Sequence, residues 1–442
     1  MKTVVFLIWS PTHSIGRYLL VANELSKLKV KTIFLDFEGN KNDIINDYCL
    51  ELKIKNKPEF VSYNVGQKPI KWSILIYRRL SYLLKGIQKK LSKKRINYFN
   101  SFNIKSPVND LEKIIKNIKF DNKNLLKRTN NVLIKSFKNK LNSAENFIKV
   151  HRPDCVFYDI ELVDNIRAFL FAAKQNKVKI ISMQHAQGNS FSYATLPLLA
   201  DYYVAYSRFN YDVLKHMGVK KKNILLTGNP DNDIIFRANE KTIKTELIQK
   251  HNIDFSKKII IVPLKPISYH EQNKILIDNL VKYFPDDKNY CFLIKPHPSD
   301  NQSSKDQFSL VKLKNNNFRF IDPAYPIFKL FKICEFSIFY FSSCIVESVL
   351  VNSKAIVIKD PFQLGEHGVK WPDWNKYKAF HLIDIDQLPF ILKSIKKQQY
   401  NFGNHTNHEN KKLFIEQFSY NYDSDSSLRI SQSVKEIIYS VD

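Results

Sequence analysis

Glycine is what this chain does without: it holds 10 glycines in 442 residues, about 2% where globular chains carry about 7%. Neither G-x-G-x-x-G nor G-x-x-x-x-G-K-[ST] occurs, which argues against a glycine-rich dinucleotide loop and a P-loop. Any phosphate has to be held by helix ends, lysines and hydroxyls instead. Cysteine is sparse as well. Cys49, Cys155, Cys291, Cys334 and Cys344 form no C-x-x-C or C-x-x-H pattern and read as reduced, buried thiols of a cytoplasmic protein, not as metal ligands. No run of 18 apolar residues suggests a transmembrane helix. The apolar start Met1–Trp9 is too short for a secretory leader, has no small-residue cleavage site after it, and reads as a first strand. There is no internal repeat.

Positive charge is what the chain has in excess, with a formal net charge of +27. Lys71–Val150 carries 20 Lys and Arg against 4 Asp and Glu, so more than half the excess lies in under a fifth of the chain. Such a segment favours a polyanion or an anionic membrane surface. Trp72–Arg95 reads as a basic helix with Ile74, Leu75, Leu80, Leu83 and Leu84 among the cations. It suits a bilayer surface with snorkelling Lys and Arg, and equally a helix packed on its domain with its charges solvated. Nucleic acid is the other polyanion, but no RRM, KH, helix-turn-helix or zinc signature supports it. At 442 residues, 44% of them hydrophobic, the chain suits two α/β domains better than one core.

Two stretches carry chemistry. In the first, the apolar run Cys291–Ile294 stops at Lys295-Pro-His-Pro298. The run reads as a buried parallel strand, and the prolines end it by removing ladder donors. Lys295 and His297 are thereby expected on a stiff turn at a strand's carboxyl end, where open α/β sheets bind ligands. The plainer alternative is a capped strand end with two solvated side chains. In the second, the strand Phe336–Phe341 is followed by Ser342-Ser-Cys-Ile-Val-Glu347, a helix, and the strand Ala355–Ile358. Ser343 suits a helix N-cap, and Glu347 shares its helix face while missing the capping-box spacing by one residue. Hydroxyls at a helix start and a carboxylate one turn later suit a phosphate and a sugar diol.

Lys295–Pro298 followed by Ser342–Glu347 resembles the C-terminal half of bacterial surface-polysaccharide glycosyltransferases of the GT-B type. The groups it is similar to are capsule polysaccharide transferases, bacterial sialyltransferases and polysialyltransferases with a His-Pro motif, and CDP-glycerol glycerophosphotransferases. The likeness runs from about Ser182 to Ile430. Gly218-Val with Thr227-Gly-Asn-Pro230 resembles the domain junction of those enzymes and of UDP-sugar 2-epimerases. The resemblance implies an α/β GT-B fold: two Rossmann-like domains facing each other across a cleft, with a basic helical insertion in the first. The expected domains are 1–235 for the acceptor, with the insertion at about 71–150, and 236–425 for the nucleotide donor. A final helix, 426–442, would cross back to the first domain.

The N-terminal half offers candidate bases. An opening strand Thr3–Trp9, a loop Ser10–Gly16, a helix Arg17–Leu28 and a strand Lys31–Phe37 are expected, with His13 in the loop. In several GT-B enzymes a histidine there is the base; the plainer reading is a turn histidine without a role. His185 follows the strand Lys179–Met183 and precedes Gly188. The resemblance makes His185 the general base for an acceptor hydroxyl, with Asp159, at the end of the strand Cys155–Tyr158, a weaker alternative. Asp231-Asn-Asp233 has the D-x-D spelling of metal-dependent transferases, but that motif belongs to another fold and is discounted. Lys396–Lys411 is polar enough to be a loop or disordered.

The donor site the resemblance implies holds Lys295 and His297 on the phosphate, with Pro298 stiffening the turn. Ser342 and Ser343 donate to it, and Glu347 accepts from the ribose. Lys265, Gly365 and His367 stand at further strand ends. No metal or cofactor is called for, and fixed cations and dipoles stabilise the leaving group. The expectation is a cytoplasmic glycosyltransferase, peripheral on the inner face of the membrane. It would move a sugar from a nucleotide-activated donor to a surface glycan or glycolipid. The His-Pro turn points to a CMP-linked sialic-acid-like or Kdo sugar. A UDP-sugar transferase, a CDP-glycerol-type polymer transferase, a UDP-sugar 2-epimerase and a non-enzymatic membrane- or polyanion-binding protein stay open.

Overall fold

The computed structural model describes residues 1–8, 11–37, 42–63, 123–159, 164–183, 199–266, 269–298, 300, 317–359, 374–404, 406–421 and 423–440. The basic helix expected over Trp72–Arg95, and His185, Gly365 and His367, lie outside the described residues. The chain divides into two compact units. One comprises Met1–Asp231 and Asp425–Asp442; the other takes its described residues from between Asn232 and Ser424.

The first unit opens with β1 (Thr3–Ile8), α1 (Pro11–Lys27), β2 (Lys31–Asp36), α2 (Asn42–Glu51) and β3 (Glu59–Ser62). It continues with α3 (Lys123–His151), β4 (Cys155–Tyr158), α4 (Asp164–Gln175), β5 (Lys179–Met183), β6 (Tyr202–Ala205), α5 (Arg208–His216) and β7 (Ile224–Leu226). Its sheet runs β3-β2-β1-β4-β5-β6-β7, and every pairing is parallel. Because both faces are covered, the central strands are almost wholly apolar; all six residues of β1 are buried, Thr3 being its one polar residue. One face packs with Tyr18, Leu19 and Ala22 of α1, the other with Phe147 of α3 and Phe169 of α4.

One expectation fails at the start of this unit. Ser10–Gly16 was to be a loop, yet α1 begins at Pro11 and runs through Gly16. Proline suits the first helical position, where its missing N–H removes no helical bond. Burial of Ile15, Tyr18 and Leu19 against the sheet holds the glycine helical. His13 therefore lies in the first turn of a helix.

α6 (Pro230–Arg237) contains Asp231-Asn-Asp233, so the D-x-D spelling is helical and does not follow the strand as a loop. The second unit continues with α7 (Glu240–His251), β8 (Lys258–Pro263), α8 (His270–Tyr283), β9 (Tyr290–Lys295), β10 (Phe318–Phe320), α9 (Ile327–Ile333) and β11 (Phe336–Tyr340). It closes with α10 (Cys344–Leu350), β12 (Ala355–Ile358), β13 (His381–Ile383), α11 (Leu388–Lys396) and α12 (His408–Phe418). The sheet order is β10-β9-β8-β11-β12-β13, again all parallel. The polar stretch Lys396–Lys411 is not wholly loop: Asn407 caps α12 by accepting from the N–H groups of Glu409 and Asn410. Its apolar stripe buries Phe414 and Phe418 around Trp374.

α13 (Ser426–Tyr439) belongs to the first unit. Its Ile430, Val434, Ile437 and Ile438 join the core beside α1, and Ser431 Oγ donates to the Val21 carbonyl at 3.1 Å. Among the described residues no helix is long and apolar enough to cross a membrane, and the five cysteines are free thiols.

Candidate active site

Each sheet steps outward from a central pair, β1 and β4 in one, β8 and β11 in the other. The connections reverse direction there, and parallel α/β sheets open a ligand crevice at the carboxyl ends of such a pair.

In the second unit these ends are crowded with the expected residues. Pro263 of β8 stands opposite Lys295 of β9, and the Leu264 N–H donates to the Lys295 carbonyl at 2.9 Å. Lys295 was expected in the turn. It is instead the last residue of β9 and only 3% exposed. Its ammonium donates to the carbonyls of Pro296 at 3.0 Å and Pro323 at 2.7 Å. Burial pushes its pKa down to about 8, against the pull of Cys344, Glu347, Asp322 and Asp300. Lys295 thus ties the His-Pro turn to the turn around Pro323. His297 is half-buried and Pro298 exposed, and the Asp300 N–H donates to the His297 carbonyl at 2.9 Å.

β11 ends at Tyr340, and half-buried Ser342 and Ser343 lead into α10. Ser343 does not cap as expected: its backbone is already helical, φ −60° and ψ −22°, and its side chain makes no capping bond. That geometry leaves the hydroxyl outside a cap. Glu347 stands in the first turn of α10, half-buried, and its charge reaches both Lys295 and Cys344. Burial, with Glu347 adding to it, pushes the Cys344 thiol up to about 12, so it stays protonated.

Lys265 follows β8, and three residues that sequence reasoning missed surround it. The Asn273 side chain accepts from the Lys265 N–H at 3.0 Å and donates to the Lys265 carbonyl at 2.8 Å. The Lys265 ammonium lies 4.4 Å from the ring centre of Tyr269 and 5.9 Å from that of Tyr340. The signal for Asn273 was present. It shares a helical face with Leu276, Ile277 and Leu280, all buried, and a polar residue on a core stripe needs a bonding partner.

In the first unit, Asp159 follows β4 and is 9% exposed. It sits among charges the sequence did not bring together. Arg17 of α1 is 5% exposed, pairs with Asp231 at 3.2 Å and donates to the Tyr206 hydroxyl at 3.3 Å. Burial opposes its charge, but Asp231, Tyr206 and Asp159 prevail and raise its pKa. Burial, and then the Asp159 charge, pushes the Tyr18 phenol well above its ordinary value. The Asp231-Asn-Asp233 side chains are engaged structurally: Asp231 on Arg17, and Asn232 donating to Ser419 Oγ at 2.6 Å. Among the described residues no group of three or more His, Cys, Asp or Glu is placed to hold a metal ion.

The family model for CDP-glycerol:poly(glycerophosphate) glycerophosphotransferase matches residues 84–357. No curated protein matches the chain. Among solved structures, the UDP-GlcNAc 2-epimerase from Neisseria meningitidis bound to UDP-GlcNAc is similar with a TM-score of 0.62 at 14% identity, covering 99% of this chain and 100% of that one. The Methanocaldococcus jannaschii UDP-GlcNAc 2-epimerase in complex with UDP-GlcNAc and UDP gives 0.58 at 13% identity, covering 98% and 99%. A glycosyltransferase from Rickettsia africae gives 0.54 at 13% identity, covering 100% and 99%. These likenesses show the fold: two Rossmann-like domains of GT-B type.

Proposed function

The chain belongs to the CDP-glycerol:poly(glycerophosphate) glycerophosphotransferase family, and from that premise we propose that it transfers a polyol phosphate from a CDP-linked donor to a hydroxyl of a growing surface polymer or glycolipid. The acceptor oxygen attacks the phosphorus that bears the polyol. The new O–P bond forms as the phosphoanhydride bond breaks, CMP leaves with the electron pair, and the acceptor proton passes to a base. The family match moves the preferred donor away from the CMP-linked acidic sugar suggested by the His-Pro turn.

One observation carries the reading. At the reversal point of the second sheet, β8, β9 and β11 end beside one another, with Lys265, the Lys295–Pro298 turn and Ser342–Glu347 at those ends. In this reading Lys265, His297, Ser342 and Ser343 meet the phosphates and Glu347 accepts from the ribose. Lys295 and Pro298 fix the turn, and Gly365 and His367, outside the described residues, are the further donor-site candidates. His185, His13 and Asp159 are the candidates for the base. Exposed Lys135, Lys138 and Lys149 along α3, with the charge of Lys71–Val150, support docking on an anionic membrane surface.

The test is a thermal-shift panel of CMP, CDP, UMP and UDP, with and without magnesium. A ligand that binds only the folded state raises the melting temperature by mass action. A shift with CDP as well as CMP, and none with UMP or UDP, supports the proposal. A shift with CMP and none with CDP returns the donor to a CMP-linked sugar. The likeness to UDP-GlcNAc 2-epimerases motivates the second reading, which a UDP-selective shift would favour.

A further inference from the structure

The second unit keeps a charge where an uncharged donor would serve the fold. Lys295 ends β9 and is 3% exposed. Its carbonyl accepts from the Leu264 N–H at 2.9 Å as the chain leaves β8. Its ammonium donates to the Pro296 carbonyl at 3.0 Å and to the Pro323 carbonyl at 2.7 Å, the second in the turn that follows β10. One residue thus grips the exits of three neighbouring strands. An ammonium has three donors; among the described residues Lys295 fills two of them and makes no ion pair. Two neutral carbonyls do not balance a buried charge.

The neighbours do not balance it either. Cys344 and Glu347 act on it from α10, Asp322 from the turn after β10, and Asp300 from beyond the His-Pro turn, which also carries His297. β8 brings Pro263 and Leu264, neither of which titrates. Burial outweighs the pull of these groups and brings the lysine down to about 8. The charge is therefore incompletely compensated at the carboxyl ends of β8 and β9, beside the expected donor residues. A buried charge is screened less than an exposed one, so an anion arriving at these ends feels it without displacing it. The anion in turn favours the ammonium over the neutral amine.

We propose that Lys295 is a buried countercharge for the diphosphate of the donor, acting through the floor of the crevice without touching the ligand, and that binding draws a proton from solvent onto it. This rests on the reading of the second sheet's reversal point as the donor site. Below about pH 8 the ammonium is already formed, and binding takes up no proton on its account. Above about pH 8 the free protein has partly lost that proton and binding restores it, so affinity falls as pH rises, by at most about tenfold per pH unit. The terminal phosphate of CDP loses its last proton at about pH 6, and the Cys344 thiol, pushed up to about 12, stays protonated, so neither titrates in this window.

The experiment is titration calorimetry of the full-length protein with CDP and with cytidine, at about pH 7 and about pH 9, in paired buffers of different ionisation enthalpy, which counts the protons taken up. Wild-type uptake with CDP should grow between the two pH values. Lys295→Gln keeps amide N–H donors for the two carbonyls but no charge, and Lys295→Met keeps neither. Both should weaken CDP by about tenfold or more at about pH 7 and abolish the growth in uptake, while Lys295→Gln leaves cytidine unchanged. A mere brace predicts instead that Lys295→Gln binds CDP as wild type does. That result overturns the inference alone, as does Lys295→Gln weakening cytidine equally. Wild-type uptake that stays flat between the two pH values also overturns it, and that measurement needs no variant. Failure of the wild-type protein to bind any nucleotide overturns the donor-site reading, and this inference with it.

Discussion

The two sheets share their order around the reversal point, yet their cations there are held in different ways. In the first unit Arg17 is enclosed, paired with Asp231 and bonded to Tyr206, with Asp159 adding to its field. In the second, the Lys265 ammonium lies over the Tyr269 ring, and its backbone N–H and carbonyl are held by the Asn273 amide. Topology supplies a place at the strand ends, and the choice of partner decides what that place does. Carboxylates around a guanidinium make a fixed joint, whereas at Lys265 one buried amide fixes the backbone and the ammonium lies over an aromatic ring.

Substitutions can break or sharpen this contrast. The largest effect is expected at Arg17. Removing one member of a buried ion pair costs about 3–5 kcal/mol. Because Asp231 keeps 30% side-chain exposure, Arg17→Ala should fall at the lower end of that range in urea unfolding. Arg17→Lys should not rescue it, since one ammonium lacks the forked donors that serve Asp231 and Tyr206 together. Equal stability of Arg17→Ala and wild type would remove the fixed joint from the account.

Next is Gly228, which joins β7 to α6 with φ +87°. A Cβ there would stand 2.6 Å from Ser426 Oγ and 3.3 Å from an Arg429 guanidinium nitrogen. Arg429 Nε meanwhile donates to the Thr227 carbonyl at 2.7 Å. Gly228→Ala should therefore cost about 1–3 kcal/mol and raise amide exchange along α13 first. Uniform exchange along that helix would contradict the proposed coupling.

Lys295 gives a pH test. Its folded pKa of about 8 lies below the value of about 10.4 that it regains on unfolding. Between the two the unfolded chain binds more protons, so this residue's contribution to stability rises with pH across that window. It is least favourable below about pH 8. The difference in unfolding free energy between wild type and Lys295→Met should move in favour of wild type from about pH 8 to about pH 10, by at most about 1.4 kcal/mol per pH unit. A flat difference would mean the ammonium is solvated. The smallest effect on stability is expected on α3: Lys135→Gln with Lys138→Gln should change it by under about 0.5 kcal/mol. The same pair should weaken binding to anionic vesicles, and unchanged vesicle binding would detach α3 from the membrane proposal.

Much of this architecture was written in local chemistry. Cys155–Tyr158, Lys179–Met183 and Ala355–Ile358 are strands with the expected bounds, because short apolar runs between breakers have few other options. Pro11–Gly16 misled because proline and glycine signal both loops and helix starts, and only the packing of Ile15, Tyr18 and Leu19 decides. Lys295 was placed at the right strand end, but its burial depends on Pro323, distant in sequence. Ser343 was placed at a helix start but makes no capping bond. Asn273 was legible in principle as a polar residue on a core stripe. Arg17–Asp231 was not, because two residues so far apart in sequence give no local sign of meeting.

The most direct test of the central claim is the fate of the donor. The protein would be incubated with CDP-glycerol and a hydroxyl-bearing glycolipid and followed by phosphorus NMR. The account predicts loss of the diphosphate signals, release of CMP, and a new phosphodiester signal that requires the acceptor. Inert CDP-glycerol, together with acceptor-independent conversion of UDP-GlcNAc to its 2-epimer, would contradict it.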